Sequence, residues 1–117
     1  MKSELLSIKK VCEQWGINNI GDIIPFLTKE SVMEVKEIPK NYPAGTKNST
    51  LKVAWYLKNG WKKPINADLG CPSFRDCPWP IEGDSDNHKF AAAFIRGDTS
   101  IEADVSGEVD WIKSFKV

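Results

Sequence analysis

Two cysteines and one histidine are the residues best placed by type and spacing to do chemistry in this chain. Cys71 and Cys77 bracket the segment Cys71-Pro72-Ser73-Phe74-Arg75-Asp76-Cys77-Pro78-Trp79-Pro80, and His88 follows on the C-terminal side. Thiolates with an imidazole nitrogen bind soft or borderline metal ions. The C-x5-C spacing is not that of a zinc finger or ribbon, and Cys71, Cys77 and His88 fall short of a closed tetrahedral set. Each of these cysteines precedes a proline, a pairing found in some haem-sensing segments, and an internal disulfide would close the loop in oxidising surroundings. The plainer reading is a proline-stiffened surface loop anchored by Phe74 and Trp79. No metal and no cofactor is therefore expected.

Other catalytic patterns fail on inspection. A Cys77–His88 nucleophile–base pair has no supporting motif. Gly83-Asp84-Ser85-Asp86-Asn87-His88 starts like a calcium loop but lacks the glycine at the sixth position and the distal glutamate. Asp22 followed by Glu34-Val35-Lys36 has the look of a nuclease pattern, but Asp22 is better explained as a helix cap. Glycine-rich phosphate loops are absent. The balance leans away from an enzyme.

Charge is more informative. Sixteen basic and sixteen acidic side chains cancel to a net charge of zero, yet residues 1–63 carry +5 and residues 64–117 carry −5. From Ile38 to Ala67 there is no acid, and six lysines are interleaved with Tyr42, Trp55, Tyr56 and Trp61. Lysines neutralise phosphates and aromatic faces stack on unpaired bases, so Lys52, Trp55, Lys58, Trp61, Lys62 and Lys63 form a candidate nucleic-acid or anion site. The stretch contains no arginine, the usual residue for bidentate phosphate and base contacts, which weakens that reading. A solvated lysine face with its aromatics turned into the core is the simpler account.

From Asp76 to Asp110 there are nine acids against Lys89 and Arg96. Glu102, Asp104, Glu108 and Asp110 alternate as the solvent face of a sheet would. Such a face can also steer a basic partner by complementary potential. An acidic face seated in another protein's nucleic-acid groove would make the chain an inhibitor or decoy. Trp79 between two prolines is either an interface anchor presented at little entropic cost or a plug under its loop. The expected function is thus non-catalytic recognition of a macromolecule, most simply a protein. Phe74, Arg75, Trp79, Glu102, Asp104, Glu108 and Asp110 are the candidate contacts, and the opposed charges of the two halves leave self-association open.

The elements that must position these residues read as an α+β domain. Residues 4–15 carry an amphipathic helical stripe, with Ser3 as N-cap and Gly16 as the stop. A second helix is expected from Asp22, with Pro25 in its first turn, and Val32–Ile38 has strand-like content. Residues 49–60 carry both strand alternation and helix-capping signals, and the balance favours a helix ending at Gly60. Residues 62–87, with four prolines, read as one long irregular loop. Lys89–Arg96, Ser100–Val105 and Val109–Val117 read as a three-stranded antiparallel meander packed under the N-terminal helices.

Length and composition set the outer bounds. A chain of 117 residues supports one domain and buries enough surface to fold without disulfide or metal. Hydrophobic residues at 41% and charged residues at 27% exclude collagen, coiled coil and wholesale disorder. No apolar run reaches the roughly 18 residues that would span a bilayer. Three irregularly spaced cysteines and an N-terminus without a signal-peptide pattern point to reduced thiols in a cytoplasm.

Overall fold

The computed structural model describes residues 3–70 and 78–117. It is an α+β arrangement built on a three-stranded mixed sheet. β1 (Ser3–Ser7) runs directly into α1 (Ile8–Trp15), followed by a 3-10 turn (Ile20–Asp22), α2 (Lys29–Met33) and α3 (Ser49–Asn59). Next come β2 (Ile65–Asp68), α4 (Asp84–Arg96), β3 (Ser100–Ser106) and α5 (Val109–Lys113). The strand order is β1-β3-β2, with β3 antiparallel to β1 and parallel to β2.

Sheet pairing overrides the expected helix over residues 4–15 at its first turn. Leu6 points into the core and Leu5 to the opposite face, the period-2 pattern of a strand paired with β3. Ser7, not Ser3, caps the helix, its hydroxyl accepting from the Lys10 amide at 3.2 Å. The rest of the stripe survives, with Ile8, Val11 and Cys12 buried and Gly16 ending α1 in a left-handed conformation.

Asp22 does not begin a helix. Its carboxylate accepts from the amides of Asn18 at 2.9 Å and Asn19 at 3.1 Å, closing the 3-10 turn behind it. The expected strand over Val32–Ile38 is also replaced. Thr28 and Ser31 exchange capping hydrogen bonds that start α2, which buries Val32 and leaves Val35 and Ile38 in an irregular segment.

Residues 49–59 are helical, as the capping signals suggested, although the cap is Asn48, whose Oδ1 accepts from the Leu51 amide at 3.1 Å. Gly60 follows with φ +70°.

The antiparallel meander is the largest correction. Ser100–Ser106 is a strand, but Lys89–Arg96 is the C-terminal part of α4 and Val109–Lys113 is α5. Asp84 and Asp86 stabilise the positive end of the α4 dipole, and Ala91-Ala92-Ala93 has the highest intrinsic helix preference. The long irregular loop likewise contains β2 and the start of α4. A close approach fixes the turn after β3. A Cβ on Gly107 would lie 2.8 Å from the Gly70 carbonyl oxygen, so only glycine fits there.

α4 sits between two cores. Phe90 and Ala93 pack with α1 and the inner sheet residues Leu6, Ile65, Ala67, Ile101 and Ala103. Ala91 and Ala92 meet Val53, Ala54 and Tyr56 of α3, together with Ile20, Leu27 and Val32. Both sheet edges are closed. Residues 115–117 cover β1, with the Ser7 amide on the Phe115 carbonyl at 2.7 Å and the Val117 amide on the Leu5 carbonyl at 3.1 Å. On the other edge the Asp68 amide donates to the Pro80 carbonyl at 2.8 Å, and the Asn66 amide to Asp86 Oδ2 at 3.1 Å. Edge-to-edge strand pairing is thereby suppressed.

Candidate functional site

The outer face of the sheet is where the acids gather. Ile101 and Ala103 of β3 point into the core, so Glu102, Asp104 and Ser106 point away from it. The register sets Asp104 beside Ser3 of β1 and Asn66 of β2, Glu102 beside Leu5, and Ser106 beside Asp68. Asp68 and Asp104 are diagonal neighbours on one face, a spacing of about 7–8 Å between strands. Glu82 and Asp86 join them around an open cleft of about 440 Å³ whose lining also includes Asn66, Pro80, Gly83 and Ser106. Glu102, Asp68 and Glu82 are exposed and Asp104 is half-buried.

Asp68, Glu82, Glu102 and Asp104 form no ion pair with a described residue. The Ser3 hydroxyl donates to Glu102 Oε1 at 2.5 Å, a neutral partner that leaves the charge uncancelled. Asp86 differs. It is buried, accepts the Asn66 amide and lies 3.7 Å from Lys89 Nζ, so it ties α4 to the sheet edge. Glu108 and Asp110 belong to the start of α5, not to the strand face, and the Glu108 amide donates to the Gly70 carbonyl at 3.1 Å.

One asparagine holds the cleft wall. Asn87 Oδ1 accepts from Trp79 Nε1 at 2.7 Å, while its Nδ2 donates to the Ile81 and Gly83 carbonyls, each at 2.9 Å. Trp79 is half-buried and packs edge-to-face against Trp15 and Phe90, with ring centroids 6.1 and 5.4 Å away. It is a rivet between the 78–83 segment and the core. Phe74 and Arg75, with Cys71 and Cys77, lie outside the described residues.

The lysine–aromatic stretch is arranged differently. Only 9% of the Lys52 side chain is exposed, and its Nζ lies 3.1 Å from Asp84 Oδ2. Trp55 and Tyr56 form a ring cluster with Tyr42, and Trp61 meets Tyr56 edge-on at 5.9 Å. The Arg96 guanidinium lies over the Trp61 ring at 5.0 Å. Burial pushes the Tyr42 and Tyr56 hydroxyls above the ordinary tyrosine value. Lys58, Lys62 and Lys63 are exposed, but the structure does not gather them with unstacked rings.

His88 is buried, with Nδ1 2.6 Å from the Asp84 carbonyl oxygen. A carbonyl only accepts, so Nδ1 donates in this contact, while Nε2 is buried with no hydrogen-bond partner among the described residues. Burial raises the Cys12 thiol to about 11, which keeps it protonated and unreactive at neutral pH. Among the described residues, no three His, Cys, Asp or Glu side chains converge to hold a metal ion. No helix among them is long and apolar enough to cross a membrane.

Asn66, Asp68 and Glu82 escape the sequence reading, and Asp86 and Asn87 enter it only as part of a failed calcium loop. Ile65-Asn66-Ala67-Asp68 does alternate, but four residues between prolines carry too short a period to outweigh a loop assignment. In comparisons with known proteins, no family model, no curated protein and no solved structure matches the chain.

Proposed function

We propose that this protein is a non-catalytic binding protein that docks a basic surface of a macromolecular partner, most simply another protein, on the acidic outer face of its sheet. The observation that carries the reading is the convergence of Asp68, Glu82, Glu102 and Asp104 without an ion pair among the described residues. Like charges side by side raise the energy of the free protein, and a cationic partner relieves that repulsion as it binds. Closed strand edges make the pleated face, not backbone pairing, the surface on offer. Carboxylates can take the place of phosphates in a basic groove, so occupation of a nucleic-acid-binding site on another protein is the favoured mode, as an inhibitor or decoy.

A lysine- and arginine-rich twelve-residue peptide serves as the probe. Binding is expected at low salt, falling steeply as salt is raised, with amide shifts confined to Asn66, Asp68, Glu82 and β3. Shifts centred elsewhere, or no binding at low salt, would remove this assignment.

A further inference from the structure

A second surface, away from the sheet face, has its own chemistry. An open groove of about 490 Å³ lies between α2, α3 and the end of α4. Val32, Met33, Val35, Ile38, Leu57 and Ile95 line it, and Lys29, Lys58 and Arg96 supply the charges of that lining. No acid takes part. Arg96 is engaged by Asp98 at 2.6 Å, whereas Lys29 and Lys58 form no ion pair with a described residue. Met33 is 64% exposed, an adaptable thioether of the kind that receives varied apolar side chains.

We infer that this groove receives an amphipathic helical segment of a partner protein, with apolar residues on one stripe and carboxylates flanking it. An apolar trough edged by unpaired ammonium groups is complementary to that pattern, and helices dock in such grooves through side chains at helical spacing. The groove opens to solvent, whereas sites for free acyl chains enclose most of their ligand. Among the described residues, the other exposed large apolar side chains, Leu5, Phe26, Val109 and Val117, lie on separate segments and form no helical stripe, so a second copy of this chain fits poorly. This inference is independent of the sheet-face reading and concerns a partner of the opposite charge.

The test uses isotope-labelled full-length protein and a panel of fifteen-residue helical peptides with leucine or phenylalanine at i, i+3, i+4 and i+7 and glutamates on both flanks. At least one peptide is expected to shift the methyl signals of Val32, Met33, Leu57 and Ile95, leaving Asp104 and Asn66 unmoved. The same peptide with lysine for glutamate should bind at least about tenfold more weakly, and the double variant Lys29→Glu, Lys58→Glu should invert that preference. Met33→Asp should weaken binding about tenfold or more while the amide spectrum stays that of a folded protein. Equal binding of acidic and basic peptides, or no peptide reaching these methyls, overturns the inference. So does saturation of the groove by laurate alone, or a concentration-dependent dimer that covers the same methyls.

Discussion

The outer sheet face and helix α3 both stand out in the sequence for charge, yet the fold treats them in opposite ways. On β3, a period of two sends Glu102 and Asp104 to one side, and the paired strands add Asn66, Asp68 and Ser3 to the same surface. On α3, each residue turns about 100° further around the axis, so Lys52 and Lys58, six residues apart, lie roughly 120° from each other. Lys52 goes inward to Asp84, Lys58 goes to the rim of a groove, and Trp55 joins Tyr42 and Tyr56. Charge density along a chain therefore does not report presentation; the period of the element carrying it does.

Breaking the inward half of that comparison has the largest expected effect. Lys52→Glu places a carboxylate against Asp84 in a position with little access to water, at a cost of more than about 3 kcal/mol. Lys58→Glu, on the same helix but exposed, should stay within about 0.5 kcal/mol of the parent. Urea unfolding of the two variants decides the matter, and similar midpoints would contradict the assigned difference. Asn87→Ala is next, at about 2 kcal/mol, because it strips the Trp79 indole and two carbonyls of their partner. Loss of Trp79 fluorescence order, read as anisotropy in a variant lacking the other tryptophans, should accompany it.

A third effect separates the core from both surfaces. Cys12 holds its proton more tightly in the folded protein, at about 11 against an ordinary 9.0. Between those values the native state binds more protons than the unfolded chain, so stability falls as pH rises through 9 towards 11. Cys12→Ala should flatten that slope between pH 9 and 10, above which Tyr42 and Tyr56, also raised, begin to contribute. An unchanged slope in chemical denaturation would contradict the burial assigned to the thiol.

A small gain in stability is expected at Phe26. The Leu27 amide donates to the Ile24 carbonyl at 3.2 Å, Pro25 fills the second place of this turn, and Phe26 sits third with φ +68°. That place favours glycine or asparagine, yet here the aromatic ring is fully exposed. Phe26→Gly should gain about 0.5–1 kcal/mol in thermal unfolding, since it relieves left-handed strain without losing packing. A loss of stability would mean that the ring has a structural role.

Legibility in the sequence followed local signal strength. α3 was readable because its caps outweighed its alternation, and Gly16 and Gly60 marked helix ends where positive φ is needed. β1 was hidden because Leu5 extends the helical spacing of Ile8, Val11, Cys12 and Trp15, and only pairing with β3 decides its conformation. α4 reads as a strand over Lys89–Arg96 unless the acids at its start and the alanine run are taken together as one helical signal. Glu102 and Asp104 were found because β3 is a strand in both readings. Asp68 and Glu82 were not, since they reach the cleft through a parallel pairing and a segment held by Asn87, neither of which leaves a local pattern.

The central claim is that the sheet face carries recognition and not stability. The triple variant Asp68→Lys, Glu102→Lys, Asp104→Lys tests it when urea unfolding and affinity for the lysine- and arginine-rich peptide are measured on the same sample. The account predicts stability within about 1 kcal/mol of the parent, because Asp68 and Glu102 are exposed and the half-buried Asp104 has no ion pair with a described residue to lose, together with a loss of peptide binding of about 100-fold or more. Retained binding, or unfolding of the variant, would contradict it.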